Sequence, residues 1–256
     1  MKSDFYNVLK NSKDIDNFIS NFMSIKTQIG NGVGAGKLFE RIFVQFINKK
    51  TPFFSIHMNL MNSNWIWDII ISKKDITSIS DKIVEICKKN SGNVENELNE
   101  LIGDQWIAIS LKTYKDDACQ ITTDYSYRDF LDTNLGKNST TNVDQFFKML
   151  NKHDSNKYVI IALNTDSKNN YYFRDLSFNK RFEKIEFKQN RKLSQYNLIV
   201  DSEPYFKVLY GKNQANAFQR GIWTNKKGSL DYFDLIYKGK FVDNDYFENA
   251  ILNTII

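Results

Sequence analysis

Two charged residues interrupt apolar stretches of the sequence. Asp68 lies within "WIWDIII", and Lys112 ends "WIAISLK". Both stretches are typical of buried strands, and burying a charged side chain is costly when it has no partner. We therefore predict that Asp68 and Lys112 lie at the ends of adjacent strands and form a pair. One interpretation of this pair is a purely structural salt bridge.

The other interpretation is a Mg²⁺ site for phosphodiester hydrolysis. Mg²⁺ prefers oxygen ligands, uses few protein carboxylates and keeps waters and phosphate oxygens in its shell. The ion polarises the phosphate and lowers the pKa of a bound water, while a lysine can orient that water and stabilise charge in the transition state. One carboxylate is rarely enough for this chemistry. However, Ser110 stands two residues before Lys112, at a position where the corresponding strand of a metal-dependent nuclease usually carries an acid.

The order and spacing of these segments resemble the type II restriction endonucleases of the PD-(D/E)xK superfamily. One branch has Ser-x-Lys on the strand and places the acid about a dozen residues onward, in a Gln-x-x-x-acid segment. Here Asp68 is followed by "SLKT" and then by "QITTD", in which Gln120 and Asp124 match that segment. The branch also has a glutamate on an early helix, which Glu40 in "GKLFERIF" matches. The resemblance covers roughly residues 30–130.

This chain departs from the branch at three points. Trp67 rather than proline precedes Asp68. The segment between Lys112 and Asp124 is slightly shorter than in the branch, and Arg128 follows Asp124, whereas the branch has an arginine before its acid. These departures concern the position of the second acid more than the positions of Asp68 and Lys112.

The resemblance implies a role for each of these residues. Asp68, Asp124 and Glu40 would hold Mg²⁺, Lys112 would assist the attacking water, and Ser110 would mark the vacated acid position. It also implies sequence-specific cleavage of double-stranded DNA by a homodimer, because cutting both strands of a palindrome with a small one-site subunit requires two-fold symmetry. The alternative is a DNA-binding protein without catalysis, in which Ser110 marks a decayed nuclease site.

Hydrophobic periodicity predicts the elements that must position these residues. Residues 4–28 have helical periodicity, and an apolar stripe from Leu38 to Ile47 predicts a further helix. The glycines at 30–36 fit no phosphate-binding loop, because Leu38 follows Lys37 and no strand precedes them. Residues 75–102 are predicted to be helical and solvent-facing. Strands are predicted at 53–61, 65–72, 105–114 and 157–165, with mainly strands and turns over 170–240.

This order of elements predicts a single domain of the α/β or α+β class. The resemblance specifies a PD-(D/E)xK-like core with a mixed central sheet flanked by helices. We expect the catalytic core to span about residues 30–165 and a β-rich DNA-recognition portion to span about residues 170–240.

A polar segment, "YGKNQANAFQRGIWTNKK" (210–227), is the candidate for DNA recognition. Amide side chains suit adenine, arginine suits guanine, and lysines suit phosphates. The alternative is a polar surface turn that leads into a buried "GIW" strand. The candidate DNA-binding residues are Asn213, Gln214, Asn216, Gln219, Arg220, Lys226 and Lys227.

Composition sets broad limits on the class of protein. The chain has 256 residues and a net charge of +5, which permits a polyanionic partner without requiring one. No apolar run approaches the ~20 residues of a membrane span, and the first residues do not resemble a signal peptide. Cys87 and Cys119 have no zinc-site spacing. We expect a cytoplasmic protein without a membrane partner, in which His57 and His153 are structural or surface residues.

Overall fold

The computed structural model describes residues 1–29, 33–58, 67–89, 93–114, 120–121, 156–164, 170–176, 185–189, 195–200, 203–209, 221–224 and 233–242. The helices in these residues are α1 (Lys2–Asn11), α2 (Ile15–Ile29), α3 (Val33–Lys50), α4 (Ser80–Lys88) and α5 (Val94–Ile102), with a short 3-10 helix at Thr77–Ile79. The strands are β1 (Phe54–His57), β2 (Ile69–Ser72), β3 (Trp106–Tyr114), β4 (Gln120–Ile121), β5 (Tyr158–Asn164), β6 (Asn170–Asp175), β7 (Ile185–Gln189), β8 (Gln195–Val200), β9 (Glu203–Leu209), β10 (Gly221–Thr224) and β11 (Asp234–Lys240).

The helical pattern at the start of the chain corresponds to two helices, α1 and α2, because the backbone is extended at Ser12. The stripe predicted after the glycines forms α3, whose buried residues include Phe39, Phe43 and Ile47. Their spacing of four residues keeps them on one side of the helix. No helix in the described part of the chain is long and apolar enough to cross a membrane.

Six strands form the central sheet, in the order β1-β2-β3-β5-β6-β11. The sheet is mixed, because β3 and β5 run parallel while the other neighbours run antiparallel. Residues of α1, α2 and α3 pack on one face, against alternate residues of β3 such as Ile107 and Ile109. Residues of α4 and α5 pack on the other face, against Trp106 and Ala108. The predicted mixed central sheet flanked by helices is confirmed.

The helical prediction for residues 75–102 is confirmed over Thr77–Ile79, Ser80–Lys88 and Val94–Ile102. The expectation that this segment faces solvent is wrong for one side of each of the two α-helices. Ile83 and Cys87 in α4 and Leu98 and Ile102 in α5 are buried. Each pair is separated by four residues, so each helix presents one apolar side to the sheet and keeps its charged residues outside.

A second, antiparallel sheet has the order β4-β10-β9-β8-β7. It accounts for most of the strands predicted in the second half of the chain. The chain also crosses between the two sheets. β4, which follows β3 in sequence, joins the second sheet, whereas β6 and β11 extend the central one.

The strand directions bring several polar residues to one edge of the central sheet. β1 and β3 run in the same direction, because each is antiparallel to β2. The end of β1 therefore lies beside the start of β2, and β3 continues beyond the start of β2 from Ile109 to Tyr114. His57 ends β1, Asp68 precedes β2, and Lys112 lies near the end of β3.

Candidate functional site

Asp68 is held at this edge by its backbone. It immediately precedes β2 rather than lying inside the strand as the apolar run suggested. Its amide donates a hydrogen bond to the Ile109 carbonyl, and its carbonyl accepts one from the Met58 amide, both at 2.8 Å. Bonds to neighbours on both sides fix the position of Cα, so the carboxylate has little freedom to move. Its side chain is 16% exposed.

Three groups of β3 surround the Asp68 carboxylate. The Ser110 hydroxyl donates to Oδ2 at 3.1 Å, and the Leu111 amide donates to the same oxygen at 2.9 Å. Lys112 Nζ lies 3.9 Å from Oδ2. The predicted pairing of Asp68 with Lys112 on adjacent strands is thus observed, but 3.9 Å is too long for a hydrogen bond. The lysine can therefore direct its donors to another group.

Glu40 lies on α3 and is buried. Its Oε2 accepts a hydrogen bond from His57 Nε2 at 2.8 Å and another from Lys37 Nζ at 3.1 Å. Its negative charge is one of the influences that raise the pKa of Asp68. The structure therefore places Ser110 and Lys112 directly beside Asp68, and Glu40 lies close enough for its charge to act on Asp68.

The two carboxyl groups are perturbed in opposite directions. Burial raises the pKa of Asp68, and the charge of Glu40 raises it further, while Lys112 and the Leu111 amide oppose the shift without cancelling it. Burial also disfavours ionisation of Glu40, but the hydrogen bonds and charges of His57 and Lys37 outweigh it and lower the pKa of Glu40. Glu40 is therefore held as an anion beside a second carboxylate that resists ionisation.

Asp68 and Glu40 each present one carboxylate oxygen of the kind that a small divalent cation binds. All hydrogen bonds to Asp68 fall on Oδ2 and all those to Glu40 on Oε2, so Asp68 Oδ1 and Glu40 Oε1 have no donor among the described residues. Carboxylate oxygens are the ligands that Mg²⁺ prefers, and it can be bound by one or two of them. Within the described residues no group of three or more His, Cys, Asp or Glu side chains is arranged to hold a metal.

The remaining candidates lie outside the described residues. These are Asp124 and the seven candidate DNA-binding residues, Asn213, Gln214, Asn216, Gln219, Arg220, Lys226 and Lys227. Gln120, in the segment that carries Asp124, pairs with Trp223 through the β4 and β10 backbones. The roles of Asp124 and of the 210–227 segment stay predictions.

Two residues near the site, His57 and Lys37, were not among the predicted site residues. A signal for His57 is present in the sequence, because Ser55 and His57 alternate with apolar residues in "FFSIHM". Such alternation places both on one face of a strand. A signal for Lys37 is its position three residues before Glu40, where helical side chains meet.

Comparisons with known proteins identify no family for this chain. The assignment of the site therefore rests on Asp68, Glu40, Ser110 and Lys112 and on the chemistry that these side chains can support. No protein-family model matches the chain, and neither the curated proteins nor the solved structures compared with it give a match.

Proposed function

We propose that this chain is a Mg²⁺-dependent, sequence-specific endonuclease of double-stranded DNA, similar to type II restriction enzymes and active as a homodimer. The observation that carries the proposal is the placement of Asp68 beside Lys112 at one sheet edge, with Glu40 close enough for its charge to act on Asp68. Two nearby carboxylates repel each other, and here the repulsion contributes to the raised pKa of Asp68. A divalent cation between them would turn this unfavourable interaction into a favourable one.

Each residue has a role that follows from its contacts. Mg²⁺, when bound, supplies positive charge that polarises a phosphate and makes a water more acidic. Ser110 and the Leu111 amide orient Asp68 through Oδ2, which leaves Oδ1 for the cation. Lys112 has no hydrogen bond to Asp68 and can orient the attacking water or stabilise charge on the phosphate. Asp124 is proposed as the further carboxylate.

The arrangement of the sheet also supports this proposal. The resemblance implies a mixed sheet flanked by helices, an acid and a lysine on neighbouring strands, and a glutamate on an early helix. Asp68 and Lys112 meet across β2 and β3, and Glu40 approaches from α3. We therefore propose a PD-(D/E)xK-like core.

Support for DNA as the partner comes from the register of the second sheet. Lys188 pairs with Asn197, Asn197 with Lys207, and Lys207 with Trp223, which places these four residues in one row. Lysine suits phosphates and asparagine suits base edges. The row continues from Trp223 on β10 to Gln120 on β4, and β10 lies within the 210–227 segment that carries the candidate recognition residues.

The decisive test compares cleavage with binding. Asp68→Ala should abolish cleavage of a plasmid of known sequence in Mg²⁺ while leaving specific binding in Ca²⁺ largely intact, because metal loss affects chemistry more than phosphate and base contacts. Asp75→Ala is the matched control. Asp75 is an exposed acid that follows the other end of β2, and its removal should leave cleavage unchanged.

Two results would contradict the proposal. An Asp68→Ala variant that nicks DNA at nearly the wild-type rate would move the metal site away from Asp68. A wild-type protein that forms a salt-dependent DNA complex but never cuts in Mg²⁺ or Mn²⁺ would support the non-catalytic DNA-binding alternative.

A further inference from the structure

His57 is a polar group at the site for which the proposed chemistry has no role. It ends β1, its side chain is 13% exposed, and its Nε2 lies 2.8 Å from Glu40 Oε2. A hydrogen bond to an ionised acceptor is stronger and more directional than one between neutral groups. The contact therefore does more than fill space between α3 and the sheet.

The His57 contact acts on one oxygen of Glu40 only. His57 and Lys37 both donate to Oε2, and no described residue donates to Oε1. Lys37 is 49% exposed and belongs to the same helix as Glu40. An exposed ion pair of this kind contributes little to order. The partly buried imidazole is therefore the group that can hold the carboxylate plane with Oε1 directed away from the β1 contact.

The end of β1 also reaches the second carboxylate. Met58, the next residue after His57, donates its amide to the Asp68 carbonyl at 2.8 Å. Two consecutive residues thus contact Glu40 through a side chain and Asp68 through the backbone. A shift of either residue would change the distance between the two carboxylates.

We propose that His57 is a positioning residue for the metal site: it orients Glu40 so that Oε1 serves the cation shared with Asp68. This inference rests on the proposed Mg²⁺ site. His57 does not contact substrate or cation in this scheme. It acts through the hydrogen bond from Nε2 to Glu40 Oε2.

Metal affinity tests this role directly. The dissociation constant for Mn²⁺ is measured on the full chain without DNA by electron paramagnetic resonance. His57→Leu removes the donor and should weaken Mn²⁺ binding by about 10–100-fold, as expected when the partner of a ligand is lost. His57→Gln keeps an N–H donor and should recover most of the affinity. Thermal unfolding checks that each variant folds, and His57→Ser replaces His57→Leu should the latter not fold.

A matched control separates positioning from general loosening. Asn48 also joins α3 to β1, through hydrogen bonds to the Ser55 backbone, but it does not contact Glu40. Asn48→Ala should leave the Mn²⁺ affinity unchanged even where it lowers the unfolding temperature.

The outcomes distinguish this inference from the proposed function. Equal weakening by Asn48→Ala and His57→Leu would overturn the positioning role. The positioning role is also overturned if His57→Leu binds Mn²⁺ with wild-type affinity while Asp68→Ala binds it more weakly. That result would leave the proposed metal site in place. If wild type and Asp68→Ala bind Mn²⁺ with the same affinity, or if neither binds it, both the metal site and the positioning role are overturned.

Discussion

At the scale of the residue, two influences raise the pKa of Asp68: the burial of its carboxyl group and the negative charge of Glu40. A carboxyl whose pKa is raised on folding binds its proton more tightly in the folded chain. Its contribution to stability is full below the pKa of the unfolded chain and is lost as pH rises through the folded pKa. Ionised Asp68 therefore lowers the free energy of unfolding of the metal-free protein at neutral pH. The pKa of Glu40 is lowered on folding, so ionised Glu40 raises the free energy of unfolding at neutral pH.

We predict that Asp68→Asn raises the unfolding temperature at about pH 7 in the presence of a chelator, because the amide keeps the acceptor oxygen without the charge. The gain should shrink as pH falls toward 3.8, the ordinary value for aspartate. Added Mg²⁺ should stabilise the wild type and not the variant. A variant less stable than wild type at pH 7 would mean that Lys112 and the hydrogen bonds to Oδ2 outweigh burial.

Ser110 and Asp124 give a second prediction at this scale. Asp124→Ala should be inactive, because Mg²⁺ needs a carboxylate oxygen at about 2.0–2.1 Å whichever segment carries it. Ser110→Ala loses a hydrogen bond to Asp68 but no proposed ligand, so it should retain far more cleavage. Ser110→Asp combined with Asp124→Ala should regain partial cleavage, since an error of about 1 Å costs on the order of 10²-fold. Cleavage rates check this series, and an active Asp124→Ala enzyme would contradict the displaced carboxylate.

At the scale of the element, the pairing of β6 with β11 depends on a close approach of Tyr171 to Gly239. The two residues are register partners, and a Cβ added at Gly239 would lie 2.2 Å from Tyr171 Cζ. The ring has little room to move, because its hydroxyl donates to Asp16 Oδ1 on α2 at 2.5 Å. This approach connects the last described strand to the N-terminal helices.

We predict that Gly239→Ala lowers the free energy of unfolding by about 1–3 kcal/mol, the usual cost of overpacking a core. Gly34→Ala is the matched control. Gly34 lies in α3 with nothing within 4 Å of an added Cβ, so alanine there should stabilise by about 0.5–1 kcal/mol. Urea denaturation of both variants measures the difference. Similar effects of the two substitutions would mean that Tyr171 yields to the added methyl group.

At the scale of the whole molecule, a net charge of +5 suits association with a polyanion and makes it sensitive to salt. The described part of one chain contains one candidate cleavage site, at the edge of the central sheet. Cleavage of both strands of a palindrome then requires two chains related by a two-fold axis.

We therefore predict that two chains bind one duplex carrying the cognate palindrome in Ca²⁺. Analytical ultracentrifugation gives the stoichiometry, and a duplex with one half-site altered serves as the control, which should bind more weakly. A complex of one chain per duplex that still cuts both strands together would contradict the symmetric arrangement.

Local periodicity in the sequence was enough to predict most elements near the site. The stripe of α3 and the buried strands β3 and β5 were predicted because spacing alone decides which side of an element is apolar. The pairing of Asp68 with Lys112 was predicted because a charge in an apolar run requires a partner. Asp124 and the 210–227 segment were placed by resemblance and by residue type, and they stay predictions.

Tertiary structure decided which groups meet. His57 contacts Glu40 across 17 positions, and Ser110 contacts Asp68 across 42. Both contacts depend on the order of β1, β2 and β3 in the sheet and on the packing of α3 against it. Periodicity records which side of an element is buried but not which element covers that side. The contacts of Ser110 with Asp68 and of His57 with Glu40, and the effect of the Glu40 charge on the pKa of Asp68, therefore follow only from long-range packing.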